Sequence, residues 1–208
     1  MAAKPEQWLE WAREIQAISQ TGLHFNQNEF DIGRYRRLAE ISSEIFESYS
    51  GLPAGDLLKI FLDQKGYATP KVDVRSAIFK NDQILLVREK ADGGWSMPGG
   101  WADVNESPSA VAERETWEES GFFVKAKKLV GVFEANHGSQ PIEVFHAFKV
   151  VFLCEITGGA PRPSSETTDV GFFSESSLPD FSAQRTPPQV VREAFAHHRD
   201  PHRPAAFD

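Results

Sequence analysis

Three glutamates, Glu115, Glu118 and Glu119, stand at a spacing that could build a metal-binding site. An α-helix turns by about 100° per residue, so these side chains fall on one helix face within a single turn. Like charges at this spacing repel one another, and burial increases the energetic cost. Mg²⁺ or Mn²⁺ would remove the repulsion, because both ions prefer carboxylate oxygens and water as ligands. A solvated acidic surface helix is the alternative interpretation of the same residues.

The helix that would carry these glutamates has recognisable ends. Ser107 followed by Pro108 predicts an N-cap and a first helical residue, and Gly121 predicts the end of the helix. Arg114 stands four residues before Glu118, so it can hydrogen-bond that carboxylate and hold its rotamer.

The wider spacing pattern favours the metal site. Gly100 is followed after five residues by Glu106, and after seven more by "RETWEESGF". This pattern matches the Nudix box, G-x5-E-x7-R-E-U-x-E-E-x-G-U, in which U is a bulky apolar residue. A chance match of its fixed residue types has a probability on the order of 10⁻⁸ per start position. The sequence therefore resembles the Nudix hydrolase family over roughly residues 70–200. Thr116, at the first U position, departs from the pattern but is β-branched and still able to pack.

The resemblance implies a reaction and a set of residues. Members of this family hydrolyse diphosphates that link a nucleoside to a second group, X. By resemblance, Mg²⁺ (or Mn²⁺) would be held by the box glutamates and the preceding loop, that is, by Gly100 through its backbone carbonyl, Glu106, Glu115, Glu118 and Glu119.

The identity of the general base is left open by the resemblance. Glu115 or Glu118 could take the proton of the attacking water, with Arg114 beside them, but a metal ligand is a weaker base. Glu166, in the loop "SSETTD", is the other candidate, and a solvated loop glutamate is its alternative interpretation. Arg88 and Glu89 end a predicted strand that should run toward the site. They are candidates for binding phosphate or ribose, although charges at strand ends are usually solvated.

The order of elements predicts an α+β fold. Strands are expected over 72–79, 83–90, 122–135 and 143–156, followed by a polar loop over 157–169, a short strand and a terminal helix over 187–198. This order agrees with the family's α/β/α sandwich around a mixed sheet. We expect the Nudix hydrolase domain to span residues 69–208.

The chain before this domain predicts a small helical domain over residues 1–68. One face of the first predicted helix carries residues that recur at helical spacing: Trp8, Trp11, Ala12, Ile15 and Ile18. Gly22 predicts the end of this helix, and Asp31 is a candidate N-cap for the second. A third helix is expected through "LLKIFLDQK". This segment resembles the helical module of a bacterial subgroup that acts on nucleoside diphosphates linked to X, including ADP-ribose and CDP-choline. Because so small a unit has a marginal core of its own, we expect it to mediate homodimerisation or to pack on the Nudix domain.

The composition excludes several classes of partner. The net charge of −8 argues against a nucleic-acid-binding surface, which requires a basic patch. Neither a signal peptide nor an apolar stretch of membrane-spanning length is recognisable, so we expect a soluble cytoplasmic protein.

The single cysteine, Cys154, lies in the apolar run "VVFLCEI" and is expected to be a buried strand thiol.

Two other functions are compatible with the same fold. A ligand sensor built on a Nudix fold would tend to lose box carboxylates and to carry a DNA-binding domain. A nucleoside triphosphate pyrophosphohydrolase would differ only in its substrate, which the box does not determine.

Overall fold

The computed structural model describes residues 7–135, 143–182 and 185–208. The chain divides into two compact units, one formed by the residues up to Pro70 with a short segment near residue 145, and the other by the remainder. Within the described part of the chain, no helix is both long enough and apolar enough to cross a membrane.

The first unit is helical, as predicted. Its helices are α1 (Gln7–Phe25), α2 (Glu29–Ser50) and α3 (Ala54–Asp63). They enclose a core in which Trp8 packs edge-on against Phe46, and Phe46 contacts Phe61. The guanidinium of Arg13 donates to the carbonyl of Val144 at 3.2 Å, which attaches the later segment to this unit.

Two predicted helix boundaries are wrong. The first helix continues past Gly22 to Phe25. Glycine is needed at position 22 because a Cβ atom there would lie 2.4 Å from the Tyr35 ring, and the position does not end the helix. The second helix is capped by Asn28 and not by Asp31. The Oδ1 atom of Asn28 accepts from the backbone nitrogens of Phe30 and Asp31, at 2.9 and 3.3 Å, and so satisfies two free donors of the first turn.

The predicted buried stripe of α1 is also partly wrong. Trp8 and Ala12 are buried as predicted, but Trp11 and Ile18 are 57% and 48% exposed. The rest of the buried face carries Leu9 and several polar residues. These polar groups are satisfied internally: Ser19 Oγ donates to the carbonyl of Tyr35 at 2.7 Å, and Gln16 Nε2 donates to Gln20 Oε1 at 2.9 Å. Hydrogen-bonded polar side chains can therefore occupy a face that an apolar periodicity would assign to solvent.

The second unit is built on a mixed sheet. Its strands are β1 (Lys71–Lys80), β2 (Gln83–Glu89), β3 (Trp95–Ser96), β4 (Gly99–Trp101), β5 (Phe122–Glu134), β6 (Ala147–Gly159), β7 (Thr167–Phe173) and β8 (Ala206–Phe207). The central strand β1 runs parallel to β6 and antiparallel to β2 and β4. The strand expected over 143–156 begins only at residue 147 and extends to Gly159, so the following loop is shorter than predicted.

Helices cover both faces of this sheet, in agreement with the predicted α/β/α sandwich. They are α4 (Pro108–Ser120) and α5 (Pro188–Arg199). On one face, Val111 and Ala112 of α4 pack with Val74 and Ile78. On the other, a second apolar cluster joins Val191 of α5 to the alternate residues of the same strands. Cys154 is a buried free thiol in β6, as expected.

Candidate active site

Helix α4 carries the predicted site and has the predicted ends. Ser107 is the N-cap, and its Oγ accepts from the backbone nitrogen of Ala110 at 3.3 Å. Pro108 occupies the first turn. Gly121 ends the helix with φ of +80°, a left-handed conformation that favours glycine. Thr116 is fully buried, and its hydroxyl donates to the Ala112 carbonyl at 2.7 Å, so the departure from the box is accommodated within the helix itself.

Arg114 is the centre of an ion-pair network on this helix. Its Nε atom donates to Glu106 Oε1 at 2.9 Å, and one terminal nitrogen donates to both Glu115 (2.8 Å) and Glu118 (3.0 Å). The contact with Glu118 is the one that the four-residue spacing predicts. The hydrogen bond from Arg114 outweighs desolvation and lowers the pKa of Glu106. One guanidinium therefore orients three of the predicted metal-binding carboxylates at once.

Glu119 is the buried member of the glutamate set. Its side chain is almost fully enclosed, and its Oε2 atom accepts from the backbone nitrogen of Gly99 at 2.9 Å. Burial raises its pKa to about 8, although Arg75 and the Gly99 amide favour the charged form. The pKa of Glu115 is also raised, chiefly by burial. The site thus confines negative charge in a way that a cation would stabilise.

The start of β4 fits closely against β1 and α4. Gly99 has φ of +147°, and a Cβ atom there would lie 1.9 Å from the Val74 carbonyl oxygen, so no larger residue fits. A Cβ atom on Gly100 would lie 2.8 Å from Oε1 of Glu115. Glycine at both positions allows the backbone of β4 to approach the carboxylates of Glu119 and Glu115 closely.

A buried ionic cluster on the neighbouring strand β1 is not among the sequence predictions. Arg75 of β1 contacts Asp73 at 2.9 Å and donates to the carbonyl of Met97 at 3.3 Å, and Asp73 also pairs with Lys149. Burial by itself raises the pKa of Asp73, but Arg75 and Lys149 together hold it below its ordinary value. Charged residues at alternate positions of the apolar strand "VDVRSAIF" are the signal that could have revealed this pair.

The loop between β6 and β7 is fastened to the same region. Lys90 Nζ donates to the carbonyls of Ser164 and Ser165 at 2.9 and 2.8 Å. The hydroxyl of Thr167 donates to the carbonyl of Glu119 at 2.8 Å. These contacts fix the loop that carries Glu166 beside the C-terminal end of α4.

A cleft of about 460 Å³ brings most of the predicted carboxylates together. Its walls come from α4 and the loop before β7, and it is lined by Glu115, Trp117, Glu118, Glu119, Arg162, Pro163, Ser164, Ser165 and Glu166. Glu166 is exposed at this cleft. Among the residues that the structure describes, no three side chains of metal-binding type stand close enough together to hold an ion as they are. Arg114 is the direct partner of Glu115 and Glu118 in this arrangement.

Arg88 and Glu89 do not line this cleft and lie in different environments. Arg88 is exposed, and its Nε atom donates to the Gly93 carbonyl at 2.9 Å. Glu89 is buried, accepts a hydrogen bond from the Ser96 hydroxyl and lies 3.4 Å from the Nε atom of Arg185. Their role in substrate binding stays a prediction.

Comparison with family models divides the chain in a similar way. Residues 6–61 match the model described as a UDP-X-like, N-terminal oligomerisation domain. Residues 69–194, more than half of the chain, match the NUDIX domain.

Several relatives and solved structures resemble this chain. It is 37% identical to the putative ADP-ribose pyrophosphatase YjhB of Bacillus subtilis, over 97% of each chain. A solved UDP-X diphosphatase is 30% identical with a TM-score of 0.62, covering 97% of this chain and 98% of that one. An ADP-ribose pyrophosphatase from Streptococcus suis is 38% identical with a TM-score of 0.61, covering 67% and 100% respectively. From the box on α4, the sandwich around the sheet and these matches, we conclude that the chain belongs to the Nudix hydrolase family.

Proposed function

We propose that this protein hydrolyses the diphosphate bond of a nucleoside diphosphate linked to X, with ADP-ribose and CDP-choline as the favoured substrates. The products are a nucleoside monophosphate and a phosphorylated X. The observation that carries the proposal is the cleft in which Glu115, Glu118, Glu119 and Glu166 meet. The names of the two relatives that span nearly the whole chain support the substrate class.

The Nudix family uses divalent metal ions, and the residues of this site fit such an ion. The candidate donors are all oxygen atoms, which hard cations prefer, and they lie where burial makes negative charge unfavourable. Glycine at position 100 leaves its backbone beside the Glu115 carboxylate, where a Cβ atom would intrude. We propose that Mg²⁺ or Mn²⁺ binds to Glu115, Glu118 and Glu119, with the Gly100 carbonyl and Glu106 completing the site.

The metal ion, Arg114 and Glu166 would each have a separate role in the reaction. A bound divalent ion supplies charge neutralisation at the diphosphate and a bound water of lowered pKa. Arg114 orients Glu106, Glu115 and Glu118. Glu166 is the preferred general base, because its carboxylate has no hydrogen bond or ion pair within the described ranges, whereas Glu115 and Glu118 are held by Arg114.

Replacing Glu166 tests its assignment as the general base. Glu166→Gln should lower kcat by roughly a hundredfold, the lower end of the usual contribution of a positioned base, without changing the melting temperature. Steady-state rates at saturating Mg²⁺ measure this effect, with Glu175→Gln as a control, because Glu175 pairs with Arg199 and does not line the cleft. An unchanged rate for Glu166→Gln would place the base among the box glutamates.

A substrate panel tests the proposed function as a whole. The panel contains ADP-ribose, CDP-choline, NADH, dinucleoside polyphosphates, sugar nucleotides and nucleoside triphosphates, each scored by kcat/KM with and without chelator. We expect metal-dependent turnover that is fastest on ADP-ribose or CDP-choline. Fastest turnover on a triphosphate would show that the proposed substrate class is wrong, although the proposed metal-dependent hydrolysis would still hold. Tight binding of one compound without any turnover would favour a ligand sensor built on the Nudix fold.

We further propose that residues 1–68 form a dimerisation module and residues 69–208 the Nudix hydrolase domain. The matching model of an oligomerisation domain supports this assignment, as do the exposed side chains of Trp11 and Ile18 on α1. Ile18 also lines a cleft of about 730 Å³, together with residues that include Phe25 and Tyr67. A cytoplasmic location stays a prediction.

Light scattering at micromolar concentration checks the dimer directly. The unaltered protein should have twice the mass of one chain, and Ile18→Glu should shift it to the monomer, because a charge would be buried at the interface. Phe207→Glu, on an exposed side chain of β8, is the matched control and should remain dimeric. A monomer mass for the unaltered protein would rule out a stable dimer.

A further inference from the structure

We infer that Arg162 is a substrate-binding residue that donates hydrogen bonds to the diphosphate of the substrate. This inference rests on the proposed function and adds a residue outside the Nudix box. Arg162 lies in the loop between β6 and β7 and lines the cleft with Glu115, Glu118, Glu119 and Glu166.

The position of Arg162 is fixed by two contacts with α4. Its backbone nitrogen donates to the Ser120 carbonyl at 2.8 Å, at the end of the helix. Its guanidinium carbon lies over the Trp117 ring, 5.6 Å from the centroid, a cation–π contact. Trp117 is in turn stacked with Phe123 at 6.2 Å and 16° between the ring planes. Arg162 is exposed, and its guanidinium is held against the wall of the cleft by the Trp117 ring.

The donors of Arg162 are available, unlike those of the other guanidinium groups near the site. Arg114 is occupied by Glu106, Glu115 and Glu118, and Arg75 by Asp73 and the Met97 carbonyl. Within the described parts of the chain, the Arg162 guanidinium has no hydrogen-bonding partner. A planar group with unused donors, placed opposite carboxylates in a cleft, matches the geometry of phosphate oxygens, which guanidinium binds in a bidentate manner.

The charge of the cleft supports the same assignment. Four of its lining residues are glutamates, and Arg162 is the cation among the residues that line it. A bound diphosphate would bring further negative charge into this acidic cleft. A fixed cation at the wall offsets part of that charge where the phosphate oxygens lie, independently of the metal ions on the glutamates.

The test measures binding and catalysis in separate variants. Arg162→Gln should raise KM roughly tenfold or more, as expected for loss of a charge-assisted hydrogen bond, and should change kcat by less than about threefold. Arg162→Lys should recover part of the loss, because it keeps the charge and loses the planar fork. Arg199→Gln removes a guanidinium of α5 that pairs with Glu175, and it should behave as the unaltered protein.

Calorimetric binding gives a readout that is independent of turnover. ADP-ribose and CDP-choline are titrated, with Mg²⁺ present, into Glu118→Gln and into Glu118→Gln/Arg162→Gln. We expect the second variant to bind both compounds more weakly by a similar factor, because they share the ribose 5′-diphosphate and differ in the base and in X. Equal affinities in the two variants, or a loss confined to one compound, would overturn the assignment to the diphosphate.

The outcomes separate the inference from the proposed function. If the unaltered protein hydrolyses the panel and Arg162→Gln has the same KM and affinity, the inference fails and the function stands. If the unaltered protein neither hydrolyses nor binds any member, the proposed function fails and the inference fails with it. An unchanged melting temperature for Arg162→Gln and Arg162→Lys assigns their effects to binding and not to unfolding.

Discussion

Glu118→Gln should lower turnover by roughly a thousandfold or more, which corresponds to about 4 kcal/mol of activation free energy. The substitution keeps the shape of the side chain and removes its charge, and charge is what a divalent ion and Arg114 recognise. Glu118 is the most exposed of the four box glutamates, with 46% of its side chain accessible, so the fold should tolerate the change. Steady-state kinetics at saturating Mg²⁺ measures the effect.

Glu113→Gln is the matched control for this loss. Glu113 is on the same helix but pairs with Lys125 and does not line the cleft. Its amide oxygen can still accept from the backbone nitrogen of Ala126, as its carboxylate does at 3.1 Å. We expect Glu113→Gln to retain turnover. Activity of Glu118→Gln within tenfold of the unaltered protein would reject the proposed metal site.

Arg75→Met should destabilise the Nudix unit by about 3–5 kcal/mol, the usual cost of removing one partner from a buried ion pair. The guanidinium is 4% exposed and is the direct partner of Asp73, and it also favours the charged form of Glu119. We expect the melting temperature measured by scanning calorimetry to fall by about 6 °C or more.

Two further variants separate charge from shape at this position. Arg75→Lys keeps the positive charge and should lose less stability than Arg75→Met. The double variant Asp73→Asn/Arg75→Met should lose less than the sum of the two single changes, because the residues are coupled. A melting temperature of Arg75→Met within about 2 °C of the unaltered protein would contradict the role of the buried pair.

Local signals made helix α4 predictable. Ser107, Pro108 and Gly121 act through the backbone within one or two turns, and their effect does not depend on the rest of the fold. The contact between Arg114 and Glu118 follows in the same way from helical spacing. The order of strands and helices was sufficient for the layered fold, because few arrangements bury both faces of a mixed sheet.

Long-range contacts account for what the sequence did not reveal. Arg75 and Lys149 are far apart along the chain and meet at Asp73 only because β1 and β6 are parallel neighbours. Arg162 reaches the cleft because its backbone bonds to the end of α4. The face of α1 that is buried depends on hydrogen bonds such as Ser19 to the Tyr35 carbonyl, which hydrophobic periodicity does not register.

The most direct test of the proposed function is the identity of the products. The unaltered protein is incubated with ADP-ribose and Mg²⁺, with and without EDTA, and the products are separated and weighed by mass spectrometry. We predict AMP and ribose 5-phosphate in equal amounts, with no products when EDTA is present. With CDP-choline, the corresponding pair is CMP and phosphocholine. Turnover that EDTA does not affect, or release of inorganic phosphate without a nucleoside monophosphate, would contradict a metal-dependent cleavage of the diphosphate bond.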